Sequence, residues 1–88
     1  MKNLFMKIAN DIDQQIKRAT NTGDGGKYRY ELHMNKHTID FLVKVSAELY
    51  GQQVDTDIDH NHYKICKVVV DNHMNDYSAS VWKVMEHE

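Results

Sequence analysis

The chain holds one cysteine, Cys66, and no proline among its 88 residues. A lone cysteine cannot close an internal disulfide, the staple that small secreted domains commonly need. Arginine is scarce: there is only Arg18 and Arg29, in a chain whose 11 basic residues face 13 acidic ones for a formal net charge of −2. Nucleic-acid binders ordinarily carry a basic excess, because phosphate contacts supply much of their affinity, and arginine is the usual fork for such contacts. The balance therefore disfavours a nucleic-acid role. Long apolar runs are missing too. Lys7 and Asp11 interrupt the opening segment short of a signal peptide's apolar core, and no stretch approaches the roughly 20 apolar residues of a membrane span. The cytoplasm is the expected location, with no membrane partner. Many lysines and asparagines with little arginine and no proline suggest an AT-rich genome, as in many bacterial viruses and mobile elements.

Length sets the next bound. The chain fits a single domain over residues 1–88. A domain of this size hides about 60–65% of the surface that its unfolded chain exposes. A deep substrate cavity would hollow a core with little to spare, so a surface-acting protein is expected over an enzyme.

Local patterns indicate the elements. Leu4, Ile8, Ile12, Ile16 and Ala19 recur three or four residues apart and form one stripe of an amphipathic N-terminal helix. Thr20 to Gly26 stops it. From Lys27 to Met34, Tyr28, Tyr30, Leu32 and Met34 alternate with Arg29, Glu31 and His33, as in a strand with one wet face. Residues 36–50 match a helix closed by Gly51, although Ile39, Phe41, Val43 and Val45 also alternate like a strand; the length of the run favours helix. Val54, Thr56 and Ile58 alternate with Asp55, Asp57 and Asp59 as a second strand. Asp59 to His62 reads as a turn, Tyr63 to Val70 as the central strand and Tyr77 to Met85 as a last strand, with helix as the alternative there. The expected fold is α+β: the N-terminal helix and a second helix on one face of a mostly antiparallel three- to four-stranded sheet, its later strands forming a meander.

Chemistry-bearing motifs fall short one by one. His60 and His62 could share a face and hold a metal, but zinc needs a third and usually a fourth ligand that the sequence does not identify. Asp55, Asp57 and Asp59 have calcium-loop spacing, which then fails at His60 and Cys66, where glycine and glutamate belong. The glycine-rich loop at 23–26 runs from helix to strand, the reverse of a phosphate loop. Lys27, Tyr28, Arg29 and Tyr30 interleave charge and rings as some RNA-binding sheets do, without the accompanying glycines. Cys66 lies in the most apolar strand, where thiols are inert. No catalytic residue and no cofactor is expected.

The leading expectation is a small non-enzymatic protein-binding module, such as a viral or mobile-element inhibitor or regulator of a host protein. Its contact residues would be the acidic stripe Asp55, Asp57 and Asp59 with the late aromatics Tyr77 and Trp82. The alternatives are a nucleic-acid binder using Lys27, Tyr28, Arg29 and Tyr30, and a metal binder using His60 and His62. Homo-oligomerisation through a sheet edge is left open.

Overall fold

A computed structural model describes residues 2–21, 27–51 and 62–85. Its elements are α1 (Lys2–Thr20), β1 (Tyr28–Met34), α2 (Lys36–Tyr50), β2 (His62–Tyr63), β3 (Cys66–Val70) and β4 (Ser80–Met85). The four strands form one sheet in the order β2-β3-β1-β4. Two of its three pairings are antiparallel, and β1 and β3 run parallel. The fold class is α+β, with two helices on a mostly antiparallel sheet.

The expected stripe of α1 and alternation of β1 are present. In α1, Ile8 and Ile12 are buried, while Leu4, Phe5 and Ile16 pack partly against the core. In β1, Leu32 and Met34 are fully buried, and their partners across the parallel pairing are Val68 and Val70. Cys66, Val68 and Tyr63 complete the sheet's contribution, and Leu42 supplies that of α2. Each fully buried side chain of this kind contributes about 1.5–3 kcal/mol of apolar burial.

Two polar side chains fix how the layers sit. Gln15 of α1 donates to the Ala79 carbonyl at 3.0 Å and accepts from the Val81 N–H at 2.9 Å. Its amide thereby occupies backbone positions along the outer side of β4, where another strand would pair. Asp13 points from the other flank of α1 and ion-pairs with Lys64, between β2 and β3. The helix is thus strapped across the sheet from one side to the other. Asn35 caps α2: its side-chain oxygen accepts from the Thr38 N–H at 2.7 Å, and its amide nitrogen donates to the Met74 carbonyl and to Asp76. Thr38 in turn accepts from the Tyr77 N–H at 2.7 Å. The start of α2 and the β3–β4 connection are one locked unit.

Four expectations need correction. The later strands do not form a meander: β3 pairs parallel with β1, and β4 joins the far side of β1. Pairing on either side of β1 gives Leu32 the buried Val68 on one flank and the partly buried Val81 on the other, which a β3–β4 hairpin would not. Tyr63 to Val70 is not one strand; Lys64, with φ 54°, turns the chain between β2 and β3. His62, expected in a turn, belongs to β2. The last strand starts at Ser80, because Tyr77 has φ 62° and its N–H is held by Thr38. The expected strand at 54–58 lies outside the described residues.

Candidate functional site

Both helices take the face of the sheet that carries Leu32 and Met34, and among the described residues no helix takes the other. Period-two alternation puts Arg29, Glu31 and His33 on that open face. The register adds their neighbours. Trp82 of β4 and Lys67 of β3 flank Glu31, Ser80 and Val69 flank His33, and Val84 lies beside Arg29. His62 pairs with Lys67 at the β2 end.

The centre of this face is a connected cluster. His33 Nε2 lies 3.0 Å from Glu31 Oε1, and His33 Nδ1 lies 4.0 Å from Asp71 Oδ2. Arg29 Nε donates to the other oxygen of Glu31 at 3.4 Å. The hydrogen bond with His33, against some opposing burial and with help from Arg29, holds the Glu31 carboxyl below its ordinary value. The indole of Trp82 stacks on the His33 ring, with centroids 4.6 Å apart and planes 18° from parallel. Trp82 nevertheless stays 52% exposed. A large ring is therefore held in one orientation and still presented to solvent.

Ser80 lies opposite His33, but carboxylates face both imidazole nitrogens, so neither is directed at the hydroxyl. Cys66 is buried on the other face, and burial pushes its thiol up to about 11. Burial likewise pushes the Tyr63 hydroxyl up to about 12, with Asp13 and Cys66 adding to it. Among the described residues, no group of three histidine, cysteine or acidic side chains is arranged to hold a metal.

The residues singled out in the sequence are scattered by the fold. Trp82 is on the open face, whereas Tyr77 packs against His37 and Phe41 of α2. Asp55, Asp57, Asp59 and His60 lie outside the described residues; His62 is exposed in β2. Arg29 faces away from Tyr28 and Tyr30, which share the side of Leu32, and Lys27 precedes the strand. Lys83 covers the Tyr28 ring, with Nζ 4.1 Å from its centroid. Among the described residues, Arg29, His62 and Trp82 are the earlier candidates that share a surface. Sequence reasoning missed His33 and Lys67 as members of that surface; the alternation of β1 marked His33 as outward, but only the pairing of β1 with β4 brings Trp82 to it. Comparison with protein-family models, curated proteins and solved structures finds no match.

Proposed function

We propose that this protein is a small non-enzymatic module that binds a partner protein through the open face of its sheet. Trp82 is the central anchor, and the partner patch is acidic. One observation carries this reading: Trp82 is half exposed and stacked on His33. A ring ordered before contact loses little entropy on binding, and tryptophan and arginine are the residue types that dominate interface energetics. The charge of the face supports an acidic partner. Glu31 is engaged by His33 and Arg29, while Arg29 and Lys67 are both exposed.

The test is parallel capture with wild type and Trp82→Ala, followed by calorimetry on the purified partner. Trp82→Ala should weaken binding by about 2 kcal/mol or more, roughly thirtyfold. Arg29→Ala should weaken it less, and added salt should weaken it further. Tyr77→Ala, on the α2 side, should leave binding intact. A partner held equally by wild type and Trp82→Ala would overturn the proposal. The acidic stripe Asp55, Asp57 and Asp59 is a separate proposed contact, tested by charge reversal at all three.

A second reading is a stacking platform for single-stranded nucleic acid, favoured by the Trp82–His33 stack with Arg29 and Lys67 beside it. The central Glu31 and the net charge of −2 weigh against it. Gel shift of single-stranded RNA at low salt, abolished in Trp82→Ala, would favour it over a protein partner.

A further inference from the structure

We infer that the outer edge of β4 is a strand-addition site, at which an extended acidic segment of the partner pairs parallel with β4 and displaces the Gln15 amide. The segment's contact with Trp82 rests on the docking reading above, whereas the edge itself rests on backbone geometry.

β4 is the outermost strand on its side of the sheet. Along a strand paired on one side, successive residues turn their N–H and carbonyl alternately toward the neighbour and away from it. The bonds to Gln15 place Ala79 and Val81 among the residues turned away. Among the described residues, a side chain rather than a strand meets these outward groups. Gln15 Nε2 donates to the Ala79 carbonyl at 3.0 Å and to Asp11 Oδ2 at 3.1 Å, and Oε1 accepts from the Val81 N–H at 2.9 Å. Two acceptors at the nitrogen and a donor at the oxygen fix which way the amide faces.

The spacing of these bonds sets the direction of a strand that takes them over. In an antiparallel pair, a residue exchanges both its bonds with one residue opposite. In a parallel pair, it donates to the carbonyl before its neighbour and accepts from the N–H after it. Gln15 follows the second pattern, bonding on either side of Ser80. Its amide stands in for one residue of a parallel strand. A segment that replaces it keeps both bonds on β4 and gains another at the outward Val81 carbonyl, while Gln15 and Asp11 return to water.

The register gives the segment's chemistry. Its residue opposite Ser80 faces the open side, as do the second and fourth residues after it. The second lies beside Trp82 at the rim of the open face, a place for a β-branched or aromatic side chain. The fourth shares a rung with Val84 and Arg29. Arg29 gives Nε to Glu31, which leaves the terminal nitrogens of the guanidinium for a glutamate there. The two strand spacings between them, about 10 Å in all, are within reach of two long side chains.

The probe is an acetylated and amidated peptide, Thr-Thr-Val-Thr-Glu-Thr, with its valine meant for Trp82 and its glutamate for Arg29. Calorimetry should show binding to wild type. N-methylation at the valine and the glutamate removes the N–H groups that face β4 and should weaken binding about tenfold or more. N-methylation at the second and fourth residues, whose N–H groups face away, should leave affinity within about twofold. Gln15→Ala removes the competing amide and should tighten binding about fivefold; far-ultraviolet circular dichroism checks that this variant stays folded. A nitroxide at the peptide's C-terminus should broaden the Val84 amide resonance and spare Ala79.

Binding that is lost in Trp82→Ala but indifferent to both N-methylated sets and to Gln15→Ala would overturn strand addition and leave docking intact. Binding that follows those sets and Gln15→Ala, yet is unchanged in Trp82→Ala, would keep the edge site and count against the docking reading. The reverse nitroxide pattern rules out the parallel direction. No binding to wild type or to folded Gln15→Ala sinks the inference. Dimers of Gln15→Ala that the peptide fails to dissolve in sedimentation would assign the edge to a second copy of the chain instead.

Discussion

On the covered face of the sheet, Cys66 and Tyr63 sit among Ile8, Ile12 and Leu32, and burial holds the protons on both. On the open face, one strand position from Leu32, Glu31 is partnered by His33 and Arg29, and its proton is more easily lost. The same strand thus runs between two solvents. One side is organised by exclusion of water and the other by charge pairing. The difference teaches that substitutions on the two faces should fail differently: the covered face in stability, the open face in recognition.

The largest break in that contrast is a cavity. Leu32→Ala removes a fully buried side chain at the centre of the sheet and should cost about 2–5 kcal/mol, read as a lower urea midpoint. Alkali should act on the same face without a mutation. Unfolding returns Cys66 from about 11 to 9.0 and Tyr63 from about 12 to 10.0. Both groups are raised acids, so their contribution is complete below about pH 9 and is lost as pH climbs through about 11 and 12. Stability measured from pH 8 upward should therefore decline, and thiol labelling of Cys66 should track unfolding. Glu31 has the opposite sign. Its contribution is present above 4.5 and is lost as pH falls through its lowered folded value.

Smaller effects sharpen the contrast at the seams. Asn35→Ala loses the α2 cap and two bonds to the β3–β4 connection, an expected loss of about 2 kcal/mol in thermal or urea unfolding. Gln15→Ala should cost about 1 kcal/mol and leave the Val81 N–H and Ala79 carbonyl open to another strand, so sedimentation should detect concentration-dependent association. Trp82→Ala should change stability least, by less than about 1 kcal/mol, since only its stack on His33 is lost. A large stability loss from Trp82→Ala would mean that the open face is structural after all.

Local periodicity carried most of the fold. The α1 stripe, the two-sided β1 and the length of α2 each follow from residues a few positions apart. What eluded the sequence depends on distant partners. Lys64 and Tyr77 adopt left-handed backbone without being glycine, so no turn residue announces them. Tyr77 is held there by Thr38 of α2, a contact no local pattern encodes. The parallel pairing of β1 with β3 is likewise a choice made by burial of Leu32 from both sides. The candidate site was half visible: Arg29 and Trp82 were noticed separately, and the His33 ring that joins the cluster to Trp82 emerges only from the register between β1 and β4.

The Gln15 strap also bears on how the chain comes off the ribosome. Its amide meets Val81, 66 positions downstream. At about 5–20 residues per second, that partner is synthesised about 3–13 s after the glutamine. Through that interval α1 lacks its anchor on β4, so the helix cannot reach its final seat during early synthesis. Completion of the native state is a late event set by arrival of the last strand, and a ribosome stalled before β4 would display α1 with the Ile8 and Ile12 stripe incompletely seated.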